Sequence, residues 1–438
     1  MTYHSLAMTR FMNVPRRRWR IGVLLGAGVL VNYIDRINLS VAAPQLQQEF
    51  GLGDAQLGVL FSAFFWAYAL MQIPSGVLLD RFGVTRIGRL STLLWSAASA
   101  LAAIAGGLGG LLLARSVLGI AEAPSFPANA KAVGYWFPLS ERATATAIFD
   151  AAAKFSNVIG VPLVAIVTVG FGWRSGFAAS AALSLCYFAV FWRVYRDPTA
   201  DRHLSASEQG FIGDGGATAE GRSSRGSTEM LGYLLRNRKV WGLSFGFSCY
   251  GYCFYFMLTW LPGYLVQTMH QSILQSAGYT TIPWICATVA DLVVGGWWVD
   301  RLIRRGYDAR RVRKSVLVGG MLAGLAMFGA ALTLDPAWAI LWISISLSGL
   351  SAAAPVGWSL PALIAPRGAT ASVGSVMNFM NNLMGAVAPV VTGAIVAATH
   401  AFAGAFFLAG IILIAGILSY IFLLGEIAPI PDPPAKSS

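Results

Sequence analysis

The chain has 438 residues, 56% of them hydrophobic and only 11% charged, with a formal net charge of +12. Soluble domains carry about a quarter charged residues, so a largely water-facing surface is excluded, and a mean hydropathy of +0.63 points to lipid as the solvent. The positive excess does not indicate a nucleic-acid partner, because it sits in the short breaks between apolar runs and is explained by orientation in a bilayer.

The first apolar run, predicted as a helix over 20–44, follows Arg16, Arg17 and Arg18. It is long enough to cross the hydrocarbon core and is not a short segment ended by a small-residue cleavage site, so no secretory signal is expected. Further helices are predicted over 57–79, 87–106, 110–134, 143–169 and 173–195. A second set follows over 239–266, 275–299, 315–334, 337–364, 369–397 and 402–425. The expected fold class is therefore an all-α membrane protein of 12 transmembrane helices in two six-helix bundles. Its expected parts are an N-terminal tail (1–19), a first bundle (20–195), a linker (196–238), a second bundle (239–425) and a C-terminal tail (426–438). The linker is rich in Gly, Ser, Thr and charge, as in the run from Gly221 to Gly226, and reads as flexible with a short helix near Leu204–Ile212.

Assigning alternate loops to the cytoplasm from the N-terminus places Arg16–Arg18, Arg81, Arg86, Arg142, Arg196, Arg236, Lys239, Arg301, Arg304, Arg305 and the basic residues of 310–314 on that side. The opposite loops hold Arg174 alone. This bias orients the chain in a bacterial inner membrane with both termini cytoplasmic. The two halves also repeat: Gly76, Asp80 and Arg81 after the second helix match Gly296, Asp300 and Arg301 after the eighth, both G-x-x-x-D-R. One copy reads as an ordinary helix end; two in register read as a gating motif. Pro162 and Pro389 align the fifth and eleventh helices and set Lys154 opposite Asn381. Such repeats imply two bundles rocking about a central site.

Cys186, Cys249, Cys253 and Cys286 fall in predicted helices and His4, His203, His270 and His400 in loops or termini. Cys249 and Cys253, one turn apart, have no His or carboxylate with them and read as buried small residues. No metal, cofactor or enzyme constellation is expected.

An ionisable side chain in the bilayer is expensive and marks function. The first half holds Asp35 and Arg36, Arg115 and Glu122, and Asp150 and Lys154; the second holds Asp291. Arg115 and Glu122 are seven apart, about 10 Å along one face, so each is expected to engage Asp35 or Arg36 rather than the other. The bland reading is a static ion network; the functional one has Asp35 and Glu122 loading protons while Arg36 or Arg115 offers a fork to a carboxylate. Lys154 either neutralises Asp150 or reaches the cavity as a second anion-binding cation, and Asp291 has no obvious partner. Most buried aromatics, Trp358 among them, are packing residues, but the Tyr68 hydroxyl lies at mid-membrane level. Asn378, Asn381 and Asn382 are costly amides that must face the interior.

The chain resembles the major facilitator superfamily, in particular its anion:cation symporter branch of sugar-acid transporters. The resemblance rests on Asn32-Tyr33-Ile34-Asp35-Arg36, Arg115 to Gly119 with Glu122-Ala123-Pro124, Trp136-Phe137-Pro138 with Glu141-Arg142, Gly172-Trp173-Arg174, Trp260 to Leu265, and Asn378-Phe379 with Asn382-Leu383. It implies alternating access, proton exchange at Asp35 and Glu122 coupled through Arg115, and substrate contacts from Arg36, Tyr68, Ser359 and Asn382. Lys154, Trp358 and Asn378 complete the candidate substrate set. In the fifth helix Asp150-Ala151-Ala152-Ala153-Lys154 departs from the small polar residues usual in that branch, so the substrate need not be galactonate. The expectation is a monomeric proton-coupled importer of a small organic acid anion, a sugar acid such as an aldonate, aldarate or hexuronate, with protons as the coupling ion; an exporter or anion exchanger of the same fold for aromatic or dicarboxylic acids is the alternative.

Overall fold

The computed structural model describes residues 16–138, 141–217, 228–366 and 369–432. Helix α1 spans Arg17–Phe50 and stops at Gly51, whose φ of 63° is the left-handed cap that glycine adopts without steric cost. The run Asp54–Ala103 contains one non-helical residue, Gly83 (φ 78°, ψ 167°), and so divides into α2 over 54–82 and α3 over 84–103. Helix α4 consists of Leu108–Glu122 and Ser125–Trp136, interrupted where Pro124 has no N–H to continue the ladder. Helices α5, Arg142–Phe171, and α6, Trp173–Val194, complete the first half.

In the second half α7 spans Arg238–Gln267. Helix α8 runs from Ile273–Ala290 through a π-helical stretch, Asp291–Trp298, into Val299–Arg304. Helix α9 is Ala309–Gly324 with a further turn at Met327–Ala331. Helix α10, Pro336–Ile364, is capped by Asp335, which accepts from the N–H groups of Ala337 and Trp338. Helices α11, Thr370–Thr399, and α12, Ala403–Leu418 with the π-helical Ser419–Leu424, close the chain. The twelve helices match the expected set, and no strand occurs among the described residues. Nine of the described helical segments are long and apolar enough to cross a membrane on composition alone. Helices α3, α4 and α7 are not among them; α4 is divided into two pieces, each too short.

The halves meet along a seam where α2 packs on α11, α5 on α8, and α1 on α7. At the α2–α11 crossing a Cβ on Gly58 would stand 2.6 Å from the Pro389 carbonyl oxygen, and one on Gly393 2.5 Å from that of Asp54; glycine is what lets the two backbones approach so closely. Ser62 donates to the Ala386 carbonyl at 2.6 Å. Beyond it, Gln267 donates to Gln47 and Asp54 at 3.1 and 3.2 Å. These contacts lie toward the end of the molecule away from the linker.

The short helix expected near Leu204–Ile212 is present in the first part of the linker, and that part is docked rather than free. Ser205 caps a helix over Ala206–Asp214 by accepting from the Glu208 N–H. Arg17 binds Asp201 at 2.8 Å, and Arg18 binds both Glu208 at 3.0 Å and Glu141 at 2.7 Å. The basic residues at the start of the first helix thus hold the linker down. The Gly221–Gly226 run and the outer parts of both tails lie outside the described residues.

Candidate functional site

Three positions on α1 set the site. Tyr33 and Arg36 are three apart and share a face, whereas Asp35 points about 100° away from Arg36. All four central charges are buried: Asp35 is 2% exposed, Arg36 6%, Arg115 4% and Glu122 0%. Nε of Arg36 donates to Oε2 of Glu122 at 2.8 Å. The guanidinium carbon lies 4.6 Å from the ring centroids of both Tyr33 and Phe64 and 5.1 Å from that of Tyr68. A weakly hydrated planar cation tolerates burial against π faces in a way that an ammonium does not. Nη2 of Arg36 and Oε1 of Glu122 are buried without a well-aligned hydrogen bond, with Tyr68 beside Arg36 and Asn32 beside Glu122 as neighbouring polar groups.

Asp35 stands apart from this pair, which corrects the expectation that both acids share the arginines. Its Oδ1 accepts from the Ser99 hydroxyl at 2.8 Å and its Oδ2 from Ser184 at 2.7 Å, placing it between α1, α3 and α6. Arg115 reaches only the backbone carbonyl of Asp35, at 3.5 Å, and lies 5.0 Å from the Phe64 centroid. Phe64 is therefore flanked by two guanidinium groups.

A second charged group lies on the seam. Lys154 binds Asp150 one turn below it at 3.0 Å and also Asp291 on α8. Asp291, without an evident partner in the sequence, thus joins one bundle to the other. Tyr33 is within electrostatic reach of Arg36, Asp150 and Lys154, and Tyr250 of Lys154, Asp150 and Asp291; tyrosines fill the space between the two charge groups.

The remaining candidates divide. Tyr68 stacks on Phe64 with centroids 5.5 Å apart. Asn382 accepts from the Tyr255 hydroxyl at 3.4 Å and donates to Asn378. The Tyr255 ring meets Phe65 at 4.6 Å, which in turn packs edge-on against Phe64. An aromatic chain therefore links the α11 amides to Arg36. Trp358, 43% exposed, packs on Phe247, and the Ser359 hydroxyl donates to the Val356 carbonyl of its own helix; the described contacts do not bring either to the charged pair. Arg81 and Arg301 stack on Phe82 and Trp297 of their own helices. Gly76 has open space around it, while Gly296 lies within the π-helical stretch. The side chains of Asp80 and Asp300 lie outside the described residues. Cys249 and Cys253 are buried as expected, and the Cys253 thiol donates to the Ala409 carbonyl at 3.4 Å.

The family model described as Major Facilitator Superfamily matches residues 25–389. The chain belongs to the Major Facilitator Superfamily. Among superfamily relatives, it is 41% identical to the uncharacterized transporter YybO of Bacillus subtilis, covering 96% of this chain and 97% of that one. It is 35% identical to the probable galactarate/D-glucarate transporter GudP of the same organism (94% and 92% covered) and 32% identical to the D-galactonate transporter of Escherichia coli O6:H1 (94% and 96%). A solved bacterial homologue of the human lysosomal transporter Spinster, in an inward-facing and unoccupied conformation, superposes with a TM-score of 0.76 at 19% identity over 94% of this chain and 98% of that one, a likeness of fold. The superfamily assignment makes this chain a membrane transporter, not an enzyme, among relatives similar to sugar-acid carriers.

Sequence reasoning missed the residues that complete each group: Tyr33 and Phe64 around Arg36, Ser99 and Ser184 on Asp35, Tyr255 on Asn382. Only Tyr33 had a usable signal, its three-residue offset from Arg36 on one helix.

Proposed function

We propose that the chain is a proton-coupled symporter that imports a small organic acid anion, such as an aldonate, aldarate or hexuronate, by alternating access across the bacterial inner membrane. Both termini are cytoplasmic, the working unit is a monomer, and protons are the only coupling partner. The observation that carries this reading is the Arg36–Glu122 ion pair buried among aromatic rings inside the first bundle.

Charge arithmetic supports the coupling. The three buried cations Arg36, Arg115 and Lys154 face four carboxylates, Asp35, Glu122, Asp150 and Asp291, an excess of one negative charge when all are ionised. A substrate anion entering such a low-dielectric cluster is repelled until carboxylates take up protons. Anion binding and proton binding therefore favour each other, which is the thermodynamic content of symport. Glu122 and Asp35 hold the protons and Arg115 couples them. Arg36, Tyr68 and the α11 amides Asn378 and Asn382 receive the substrate, and Trp358 and Ser359 join as the bundles rock. The names of the sugar-acid relatives favour this substrate class.

The test is uptake of labelled sugar acids into proteoliposomes under an imposed pH gradient. Accumulation is expected to vanish when an ionophore collapses the gradient, and Glu122→Gln is expected to retain counterflow exchange while losing gradient-driven accumulation. Accumulation indifferent to the gradient would remove the proposal.

A further inference from the structure

Lys154 is a buried ammonium with carboxylates from opposite bundles on it: Asp150 from its own helix and Asp291 from α8. Asp150 is one turn away on a rigid helix and is the more solvent-exposed of the two, so it stays with Lys154 whatever the bundles do. Asp291 belongs to the other bundle and sits at the first residue of the π-helical stretch of α8, a geometry that recurs at functional positions.

The depth of Lys154 relative to Arg36 follows from packing. A Cβ on Gly26 of α1 would meet Ile148 of α5, and one on Gly160 of α5 would meet Ile34 and Ile37 of α1. The two helices therefore run side by side in the same direction, and Lys154 lies about one and a half turns below Arg36, roughly 8 Å along the axis. Each cation is held by a carboxylate from another helix, Arg36 by Glu122 and Lys154 by Asp291, and Lys154 has Asp150 on its own helix as well. The groups facing Lys154 are Asp150 on α5, Asp291 on α8, Tyr250 on α7 and Tyr33 on α1.

We infer that the substrate carries two carboxylates, one received by Arg36 and the other by Lys154, and that the second takes the place of Asp291, so that loading the site breaks the cross-bundle ion pair. The inference rests on the symporter reading and narrows it to a dianionic acid. Asp291 acts as a built-in substitute for substrate: while the site is empty it holds the bundles together through Lys154, and once protonated it yields the ammonium. One end of the dianion then meets Arg36 released by Glu122, and the other meets Lys154 released by Asp291 and still paired with Asp150 on its own helix.

The experiment measures binding of D-glucarate and D-galactonate, six-carbon acids with two carboxylates and one, to the purified full-length transporter by calorimetry. The wild-type protein is expected to prefer glucarate by roughly ten-fold or more, the worth of one charge-assisted contact. Lys154→Gln is expected to bring the ratio of the two affinities to near one, and Asp291→Asn to raise glucarate affinity by removing its competitor. A purely structural salt bridge predicts the same sign for both substitutions, because Lys154→Gln leaves Asp291 buried without its cation and Asp291→Asn cuts the same tie between the bundles. Loss of glucarate affinity in Asp291→Asn, or a glucarate preference unmoved by Lys154→Gln, overturns the inference. Should Lys154→Gln fail to fold, the sign of the Asp291→Asn effect decides alone. Gradient-driven galactonate accumulation without a glucarate preference overturns this inference and leaves the symporter standing, whereas absence of gradient-driven accumulation of either acid removes the symporter itself.

Discussion

Arg36 is held by two kinds of contact that favour different features of its side chain. Glu122 recognises its charge, and Tyr33, Phe64 and Tyr68 recognise its flat face. Lysine would keep the first and lose the second, along with the planar fork. Arg36→Lys is therefore expected to lower gradient-driven uptake by at least ten-fold, about 1.4 kcal/mol, while the protein still folds; initial uptake rates with matched expression check it, and a wild-type rate would show that a point charge suffices. That Arg36 and Glu122 need partners was legible in the sequence, because an ionised side chain in lipid must be justified. Which acid meets which base was not legible. Asp35 and Arg36 are neighbours in sequence, yet the helical rotation between them sends one to serines and the other to Glu122, and nothing local fixes how α1 is turned against its neighbours.

At the scale of elements, the α2–α11 crossing is the tightest part of the seam. Gly58 and Gly393 leave no room for a side chain against the opposing carbonyls, so Gly58→Val acts as a wedge. It is expected to cost about 1–3 kcal/mol of stability, as overpacking does, and to expose the far end of the seam. The checks are a lower Tm and faster maleimide labelling of a cysteine placed at Gln267; labelling as slow as in the parent would mean that the crossing does not close that end. The helices themselves were legible from hydropathy within a few residues. The division of α4 at Pro124 and the π-helical stretch in α8 were not, since both preserve the apolar composition that marks a span. The docked half of the linker was missed for another reason: Asp201 and Glu208 look like solvated charges until Arg17 and Arg18, far away in sequence, are brought beside them.

For the whole molecule, the repeated G-x-x-x-D-R motif announced two similar halves, but not the residues that join them. Lys154 and Asp291 are distant in the chain and each had a plausible reading alone. The network of Arg17, Arg18, Glu141, Asp201 and Glu208 fixes one end of the first half to the linker. Removing Arg18 leaves Glu208 buried without its cation, a loss of about 1–3 kcal/mol. Arg18→Ala is expected to lower the Tm by a few degrees and to speed protease cleavage in the linker; cleavage at the parental rate would mean that the linker is held elsewhere.

The π-helical stretch of α8 adds a consequence of phase. Each wide turn takes up more residues than an α turn, so an added residue rotates everything beyond it by about 100° relative to an unbroken helix. The azimuth of Asp291 at the start of the stretch is thereby uncoupled from that of the basic end at Arg301. Deleting one residue from the interior of the stretch, for instance Val293, would restore ordinary winding and swing the carboxylate off its bearing without removing any charge. Such a deletion separates where the acid points from whether it is there, a distinction that no substitution at the position can draw.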